Sequence, residues 1–263
     1  MQKSLTIFVG TLLGVFLFCG CGKGSVKGLP VCGATLTPGR LVVSMAASFP
    51  PYEFSNGGEM VGVDVDISRK VAEKIGCELE IRACDFDTVI PYVASGTVDM
   101  AASALSITDE RGQIVDFSIP YKTSTQVLLV KTGSGVNRDN LKGLRIGAMA
   151  GSTGEMYVRD RLGTPVSFVS GPEVIEAVKK GDADAAVLDL DPISVYVMQD
   201  EELEISGEPL QVEKYGVAVR KGATELLCAV NETIAEMQAS GELDRSFAEN
   251  MEIADKLRAD TRR

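Results

Sequence analysis

The 263-residue sequence predicts an α/β protein built from two similar lobes with a cleft between them. Three observations support this prediction. Strand-like and helix-like segments alternate along the chain, which is typical of mainly parallel sheets flanked by helices. One pattern of sixteen residues occurs twice. The last part of the chain returns to a strand and two helices, which would rejoin the first lobe through two crossover strands and a hinge.

The composition excludes several kinds of chemistry. Hydrophobic residues make up 45% of the chain and charged residues 24%, which is ordinary for a folded protein. The absence of histidine excludes Ser-His-Asp and Cys-His catalysis and any histidine-ligated zinc site. The formal charge of −11 argues against a nucleic-acid partner, which would require clustered Lys and Arg.

The first twenty residues resemble an export signal. Leu5 to Phe18 carries no charge, and fourteen residues is short for a membrane span but fits the apolar region of a signal peptide. The small residue before Cys21 resembles a bacterial lipoprotein processing site, although Phe18 departs from the usual leucine. We expect a signal peptide over 1–20, acylation of Cys21, a tether over 21–38 and a mature charge of −12. The alternative is an uncleaved N-terminal anchor.

Hydrophobic periodicity and turn residues place the elements. Ile67, Val71 and Ile75 recur every four residues and predict a helix from Asp64 that ends at Gly76. Asp87 is expected to cap the next helix. The predicted strands are 40–44, 79–83, 100–102, 125–130, 144–148, 166–169, 185–188 and 215–219. The predicted helices are 64–75, 88–95, 153–162, 173–180, 192–198, 225–240 and 243–251.

The repeated pattern relates residues 88–103 to residues 173–188 at a constant offset of 85. Each copy reads as a helix, a Gly-x-x-Asp turn and a strand. Chance convergence of two such units is the alternative to a true structural repeat. The repeat predicts lobe 1 over 39–126 plus 214–263 and lobe 2 over 127–213, with a cleft suited to a small ligand.

The cysteines that remain after removal of the signal peptide do not predict a disulfide framework. Cys77 and Cys84 flank a predicted strand whose length keeps them too far apart for a disulfide. No metal-binding spacing occurs. We expect buried free thiols at Cys77, Cys84 and Cys228, with Cys32 in the tether, and neither a metal site nor a cofactor.

A loop of small residues, 149–154, follows a predicted strand and opens a helix. Free N–H groups at such a point favour an anion such as a carboxylate, and Ser152 and Thr153 are the candidate side chains. The alternative is that one of them only caps the helix.

A second group of candidates follows the strand 100–102. Ser103 and Ser106 lie just beyond its carboxyl end, where ligands collect in open α/β sheets. Thr108 is expected to cap the short turn 109–112, from which Arg111 can reach the cleft and bind a carboxylate with its planar guanidinium. The alternative is a surface arginine paired with Asp116 or Glu110.

The other lobe offers a carboxylate at the equivalent position. Asp189 ends the strand 185–188 and is suited to an ammonium group, whereas Asp191 is expected to cap the following helix. Phe49 and Phe86 also follow strands and suit the sides of a ligand, although isolated aromatics are more often core residues. Together these groups describe a site for a free α-amino acid.

Four ordered motifs also carry a family resemblance. They are FPPYEF at 49–54, VGVDVD at 61–66, SITDER with VDFSIPY at 106–121, and LKGLRIG at 141–147. The sequence resembles the polar-amino-acid-binding solute receptors of ABC importers over roughly residues 38–252. The resemblance implies a two-lobed periplasmic-binding-protein-like fold that closes on its ligand and delivers it to a permease.

The resemblance also assigns roles to individual residues. Phe49 and Phe86 would contact the ligand side chain, and Asp189, helped by Ser103, would hold the α-amino group. The residues around the α-carboxylate would be Ser103, Ala104, Ser106, Arg111 and Thr153.

Two positions depart from the family pattern. Ala46 replaces an acid that many receptors for basic amino acids carry, which favours a neutral, glutamine-like side chain over arginine or lysine. Glu53, Asp85 or Asp87 would be the compensating carboxylates. Gly154 replaces a larger polar residue and removes one possible ligand contact.

The sequence thus predicts a monomeric, lipid-anchored receptor in the periplasm or on the extracytoplasmic face of a bacterial membrane, rather than an enzyme. An exported cyclohexadienyl-type dehydratase and a ligand-sensing domain are the alternatives. Without histidine, the site charges are expected to change little between about pH 5 and 8.

Overall fold

The computed structural model describes residues 34–198 and 200–261. The strands are β1 (Arg40–Met45), β2 (Ser48–Phe49), β3 (Glu53–Asn56), β4 (Glu59–Val61), β5 (Glu78–Ala83), β6 (Met100–Ala101), β7 (Val115–Phe117), β8 (Lys122–Lys131), β9 (Ile146–Met149), β10 (Val166–Phe168), β11 (Ala185–Asp189), β12 (Leu203–Tyr215) and β13 (Ala218–Arg220). The helices are α1 (Val63–Ile75), α2 (Phe86–Ala94), α3 (Asp109–Gly112), α4 (Thr153–Arg161), α5 (Gly171–Lys180), α6 (Leu190–Val197), α7 (Thr224–Ala239) and α8 (Glu242–Thr261).

Two five-stranded sheets share one arrangement. Their strand orders are β5-β1-β6-β13-β7 and β10-β9-β11-β8-β12. In each sheet the fourth strand runs antiparallel to its neighbours and the other four share one direction. The predicted architecture of two lobes with mainly parallel sheets is therefore confirmed. A small antiparallel sheet, β2-β3-β4, is attached to the first lobe.

The apolar residues used to predict α1 form its buried face. Ile67 and Val71 are fully buried and Ile75 is 1% exposed, and burial of each such side chain contributes about 1.5–3 kcal/mol. Gly76 adopts the left-handed conformation at φ 70° and its N–H bonds the last turn of the helix. The predicted end of α1 is confirmed.

The two copies of the repeated pattern occupy equivalent positions. Helices α2 and α5 are each followed by a glycine at positive φ, 73° for Gly96 and 80° for Gly181. The aspartates of the two turns then accept equivalent backbone bonds at the start of a central strand. Asp99 accepts from the N–H of Val42 at 2.8 Å, and Asp184 accepts from the N–H of Arg145 at 2.8 Å. The repeat therefore reflects a shared turn geometry.

The chain crosses between the sheets twice, along the antiparallel pair β8 and β12. Residues 128–131 pair with 203–206, and residues 122–126 pair with 211–215. A register shift between Ser206 and Gln211 separates the two stretches. We call the stretch 122–126 with 211–215 the crossing ribbon.

Several predicted bounds are wrong, among them that of the last helix, which runs to Thr261 rather than ending at 251. The segment 215–219 is not one strand, because Tyr215 ends β12 and the chain turns before β13 begins at Ala218. Most of β12 was not predicted at all. Helix α2 begins at Phe86, one residue before the expected cap Asp87, and Asp85 occupies the N-cap position.

The expected signal peptide over 1–20 lies outside the described residues, and so do Cys21 and Cys32. Among the helices of residues 34–198 and 200–261, not one combines the length and hydrophobicity that a membrane span needs.

Candidate functional site

Arg111 is buried where the two lobes meet. Thr108 caps α3 by accepting from the N–H of Arg111 at 3.2 Å, as predicted. The guanidinium donates to the carbonyl of Ser106 in its own lobe and to that of Gly151 in the other, each at 2.9 Å. The alternative of a surface pair with Asp116 is wrong, because Arg111 is 5% exposed and Asp116 is held by Lys221.

Burial has the largest effect on the charged state of Arg111. Burial lowers the pKa of its guanidinium, and the charges of Glu213 and Asp189 oppose that change. The ring centroid of Phe86 lies 5.7 Å from the guanidinium carbon. A guanidinium has five N–H donors, and the two bonds to backbone carbonyls leave donors for an anion.

The loop before α4 brings the second lobe against Arg111. Ser152 occupies the N-cap and accepts from the N–H of Glu155 at 3.1 Å, so the alternative of a helix cap is confirmed for this residue. Thr153 has a different role: its hydroxyl donates to Glu213 at 2.9 Å and lies 3.4 Å from the hydroxyl of Ser106.

Gly151 permits this close approach of the lobes. Its φ of +72° is unfavourable for other residues. A Cβ atom at this position would lie 2.9 Å from the Cα of Asp87. Only glycine fits here without moving one lobe away from the other.

Asp189 ends β11 and is buried. Its Oδ1 accepts from the hydroxyl of Tyr215 at 2.6 Å and from Nε2 of Gln126 at 3.2 Å. Burial and, to a smaller extent, the charge of Glu213 raise the pKa of Asp189 to about 7, although the Tyr215 bond and the charge of Arg111 act in the opposite direction. The expectation that the site charges change little between about pH 5 and 8 is therefore wrong for this residue.

Asp191 does not cap the following helix as expected. It lies in the first turn of α6, and Asp189 occupies the N-cap position without a capping side-chain bond. Asp191 instead accepts a hydrogen bond of 2.5 Å from the hydroxyl of Tyr52, which belongs to the first lobe. Lys122 lies 3.8 Å from the same carboxylate oxygen.

Two buried acids, Glu53 and Asp64, form hydrogen bonds with Ser103 and Ala104. Ser103 Oγ donates to Glu53 at 2.6 Å and accepts from the N–H of Ala46 at 3.0 Å. The N–H of Ala104 donates to Asp64 at 2.6 Å. Ala104 has a φ of 45°, a strained value for a residue with a Cβ.

These two acids also interact with each other. Glu53 and Asp64 are both fully buried. Burial, with the charge of Asp64, raises the pKa of Glu53 well above its usual value, and burial raises the pKa of Asp64 to about 6. Glu53, one of the three carboxylates expected to compensate for Ala46, therefore belongs to the interior. Asp85 and Asp87 are exposed.

Residues 41–252 match bacterial extracellular solute-binding proteins, family 3. The chain belongs to this family. The L-cystine-binding protein TcyJ of Escherichia coli K12 is 31% identical over 212 residues, which cover 78% of this chain and 80% of that protein. The glutamine-binding protein GlnH of Bacillus subtilis 168, described as an ABC transporter protein, is 29% identical over 265 residues, 94% of this chain and 96% of that protein.

A solved structure confirms the two-lobed fold. It is the amino acid ABC transporter substrate-binding protein AbpA from Streptococcus pneumoniae, bound to L-arginine. The TM-score is 0.78 at 32% identity, and the alignment covers 82% of this chain and 96% of that one. The predicted resemblance to amino-acid-binding solute receptors is confirmed.

Both aromatic candidates of this family 3 chain are buried in its core. Phe49 is 5% exposed and stacks on Tyr52 with ring centroids 6.2 Å apart. A Cβ atom on Gly171, at the start of α5 in the other lobe, would lie 3.8 Å from the Phe49 ring. Phe86 is 8% exposed beside Arg111.

Three polar residues of the site were not among the sequence candidates. Gln126, Glu213 and Tyr215 lie on the crossing ribbon and reach the junction of the lobes. No strand-end signal marks Gln126 and Glu213, because they lie within strands, and Tyr215 ends β12 although it was predicted to begin a strand. Gly154 lies against this group: a Cβ there would be 2.7 Å from the carbonyl of Val187 and 3.0 Å from Gln126 Oε1. A larger residue does not fit at this position.

The cysteines differ from expectation in their burial. Cys77 and Cys84 are half-buried free thiols, and Cys228 is exposed rather than buried. Within residues 34–198 and 200–261 there is no cluster of Cys, Asp and Glu able to hold a metal ion.

The family match ends at residue 252, but α8 continues to Thr261. Ala254 and Leu257 in this added part pack with Phe54 of the first lobe and Val195 of the second. The guanidinium of Arg258 lies 4.3 Å from the ring centroid of Tyr196 in α6. The end of α8 therefore spans both lobes.

Proposed function

We propose that this chain is a lipid-anchored substrate-binding protein that captures a free polar L-amino acid by lobe closure and delivers it to an ABC importer. The observation that carries the proposal is the burial of Arg111 and Asp189 at one junction between the lobes. A guanidinium suits an α-carboxylate and a carboxylate suits an α-ammonium. TcyJ, GlnH and AbpA are themselves described as binding proteins for amino acids.

Closure supplies the coupling between binding and delivery. We propose lobe 1 over 39–126 plus 214–263 and lobe 2 over 127–213, with the crossing ribbon as the hinge. Arg111 contacts Gly151, and Tyr52 contacts Asp191, only when the lobes meet. A ligand that binds the closed form better shifts the population toward it.

We favour a ligand with a neutral, glutamine-like side chain, and the next candidates are arginine and lysine. Ala46 offers no carboxylate to a cationic side chain, and Glu53 is engaged by Ser103 in the interior. Two carboxylates, Asp189 and Glu213, against one Arg111 disfavour an acidic side chain. GlnH is described as glutamine-binding and AbpA as arginine-bound, which supports both candidates.

The remaining parts of the proposal concern location and partners. We propose that residues 1–20 are removed, that Cys21 is acylated, and that 21–38 tether a monomer to the outer side of a bacterial membrane. The extracellular family supports this location. Binding rather than catalysis is proposed, without a cofactor.

A thermal-shift screen against the twenty amino acids tests the proposal. At 100 times its Kd, a ligand should add about 2.7 kcal/mol to stability. Arg111→Ala should abolish the shift while circular dichroism shows an intact fold, and the exposed Arg138→Ala should leave it unchanged. A wild-type protein that no amino acid stabilises, or wild-type affinity in Arg111→Ala, would contradict the proposal.

A further inference from the structure

Hydrogen-bond donors from both lobes converge on one carboxylate oxygen of Glu213. Its Oε2 accepts from Ser106 Oγ of the first lobe at 2.5 Å and from Thr153 Oγ1 of the second at 2.9 Å. Gln126 Nε2 lies 3.4 Å from the same atom. Since Glu213 lies on the crossing ribbon, one carboxylate connects the hinge with a hydroxyl from each lobe.

The direction of these bonds follows from chemistry. A carboxylate only accepts hydrogen bonds, and a hydroxyl has one proton to donate. Ser106 and Thr153 both direct that proton at Glu213, so each hydroxyl has only lone pairs to offer another group. Thr153 Oγ1 already uses one of them to accept from Gln126 Nε2 at 3.1 Å.

Gln126 links Glu213 to Asp189. Its Nε2 lies 3.2 Å from Asp189 Oδ1 and 3.4 Å from Glu213 Oε2. The reverse amide orientation would place an oxygen against two carboxylates, so this orientation is fixed. Among the described residues, Gln126 Oε1 is buried without a hydrogen-bond partner.

The carboxylate of Glu213 is itself fully engaged. Its Oε1 accepts from Gln211 Nε2 at 3.0 Å, and the residue is 6% exposed. The hydrogen bonds of Glu213 therefore reach the site through Ser106 and Thr153.

We propose that Glu213 is a positioning residue that turns the hydroxyls of Ser106 and Thr153 into acceptors and so makes the site select a protonated α-amino group. This inference rests on the proposed function. An ammonium group only donates, and it meets acceptors from Asp189 and the two hydroxyls. Glu213 thereby fixes which way the hydroxyls of Ser106 and Thr153 point their protons, and Arg111 remains for the carboxylate.

The test compares an amino acid with its analogue that lacks the α-amino group. Calorimetry gives the Kd of L-glutamine and of glutaramic acid for wild type and for Glu213→Gln. If the screen selects arginine, the pair is L-arginine and 5-guanidinopentanoic acid. The ratio of the two Kd values measures how strongly the site selects the ammonium.

The glutamine side chain keeps the size of Glu213 but adds an NH₂ donor, so the hydroxyls no longer have to donate to it. We expect the ratio to fall at least about tenfold, the effect of losing a hydrogen bond to a charged group. An equal weakening of both ligands, which a merely structural role would produce, would overturn the inference. Wild-type Kd values for both ligands would overturn it as well.

Two further variants complete the design. Glu208→Gln changes an exposed residue of the same strand and should keep the wild-type ratio. Thr153→Val removes one of the two hydroxyls and should lower the ratio even if Glu213→Gln does not fold; an unchanged ratio there would contradict the inference. A wild-type protein that binds no amino acid would instead contradict the proposed function, and this inference with it.

Discussion

Tyr52 and Asp191 belong to different lobes and are joined by a hydrogen bond of 2.5 Å from the phenol to Oδ2. Tyr52 is fully buried, and its ring packs edge-on against Tyr215 of the crossing ribbon at 5.2 Å. The bond from Arg111 to Gly151 also joins the two lobes. The two bonds hold the lobes together through different parts of the first lobe.

Tyr52→Phe should weaken ligand binding without unfolding the protein. The substitution keeps the ring and removes one interlobe bond to a carboxylate, which contributes about 1.5–3 kcal/mol. Kd should rise at least about tenfold by that account, measured by calorimetry. Tyr92→Phe, on α2, is the matched control and should leave Kd unchanged. Unchanged binding in Tyr52→Phe would show that the bond does not favour closure.

Acidification should close the ligand-free protein. In an open form Asp189 meets water and has an ordinary carboxyl pKa, whereas in the closed form burial raises that pKa to about 7. The closed form therefore binds more protons between about pH 4 and 7 and gains population as the pH falls. The radius of gyration from small-angle X-ray scattering should be smaller at pH 5 than at pH 8. Asp189→Asn should abolish this difference, and its persistence there would rule Asp189 out as the cause.

The free energy of unfolding should also depend on pH, through the titration of Asp64. Burial raises the folded-state pKa of Asp64 to about 6, so the folded state binds more protons than the unfolded state between about pH 4 and 6. The unfolding free energy should fall as pH rises through this window, by up to roughly 1.4 kcal/mol per unit for one proton. Urea unfolding at several pH values measures the slope. Asp64→Asn should reduce the slope and the exposed Asp109→Asn should not; equal slopes in both would contradict the assignment.

The sequence predicts part of the site because the ends of strands can be recognised from the amino-acid pattern. Ser106, Arg111 and Asp189 follow predicted strands, and the structure brings them to one junction. Glu213 was missed because β12 has no regular alternation: it contains Gly207 and Pro209, and most of its residues are exposed or half-buried. Its pairing with β8 is a long-range contact that local propensity does not encode.

Gly151→Ala should impair closure more than folding. The added Cβ would lie 2.9 Å from the Cα of Asp87 in the other lobe, at a φ of +72°. Backbone strain of this kind costs about 1–3 kcal/mol, and the clash adds to it only in the closed form. Kd should therefore rise at least about tenfold.

Gly143→Ala is the control that distinguishes the effect of backbone strain from that of the steric clash with Asp87. Gly143 has a φ of +83°, and a Cβ added there would have nothing within 4 Å. Alanine at this position should therefore lower the unfolding temperature but leave Kd unchanged. Equal Kd values for the two variants would show that the contact between Gly151 and Asp87 does not limit closure.

Leu257→Ala should selectively weaken the ligand-bound state. Leu257 lies in the part of α8 beyond the family match and lines a groove of about 250 Å³ with Phe54 of one lobe and Val195 of the other. Loss of a buried leucine costs about 2–5 kcal/mol, and half-burial reduces that to roughly 1–2 kcal/mol. Because the contact spans both lobes, the stabilisation that ligand adds should shrink. Leu227→Ala, half-buried in α7 within the first lobe, should lower the melting temperature equally with and without ligand. The same pattern in Leu257→Ala would mean that the end of α8 stabilises the fold but does not favour closure.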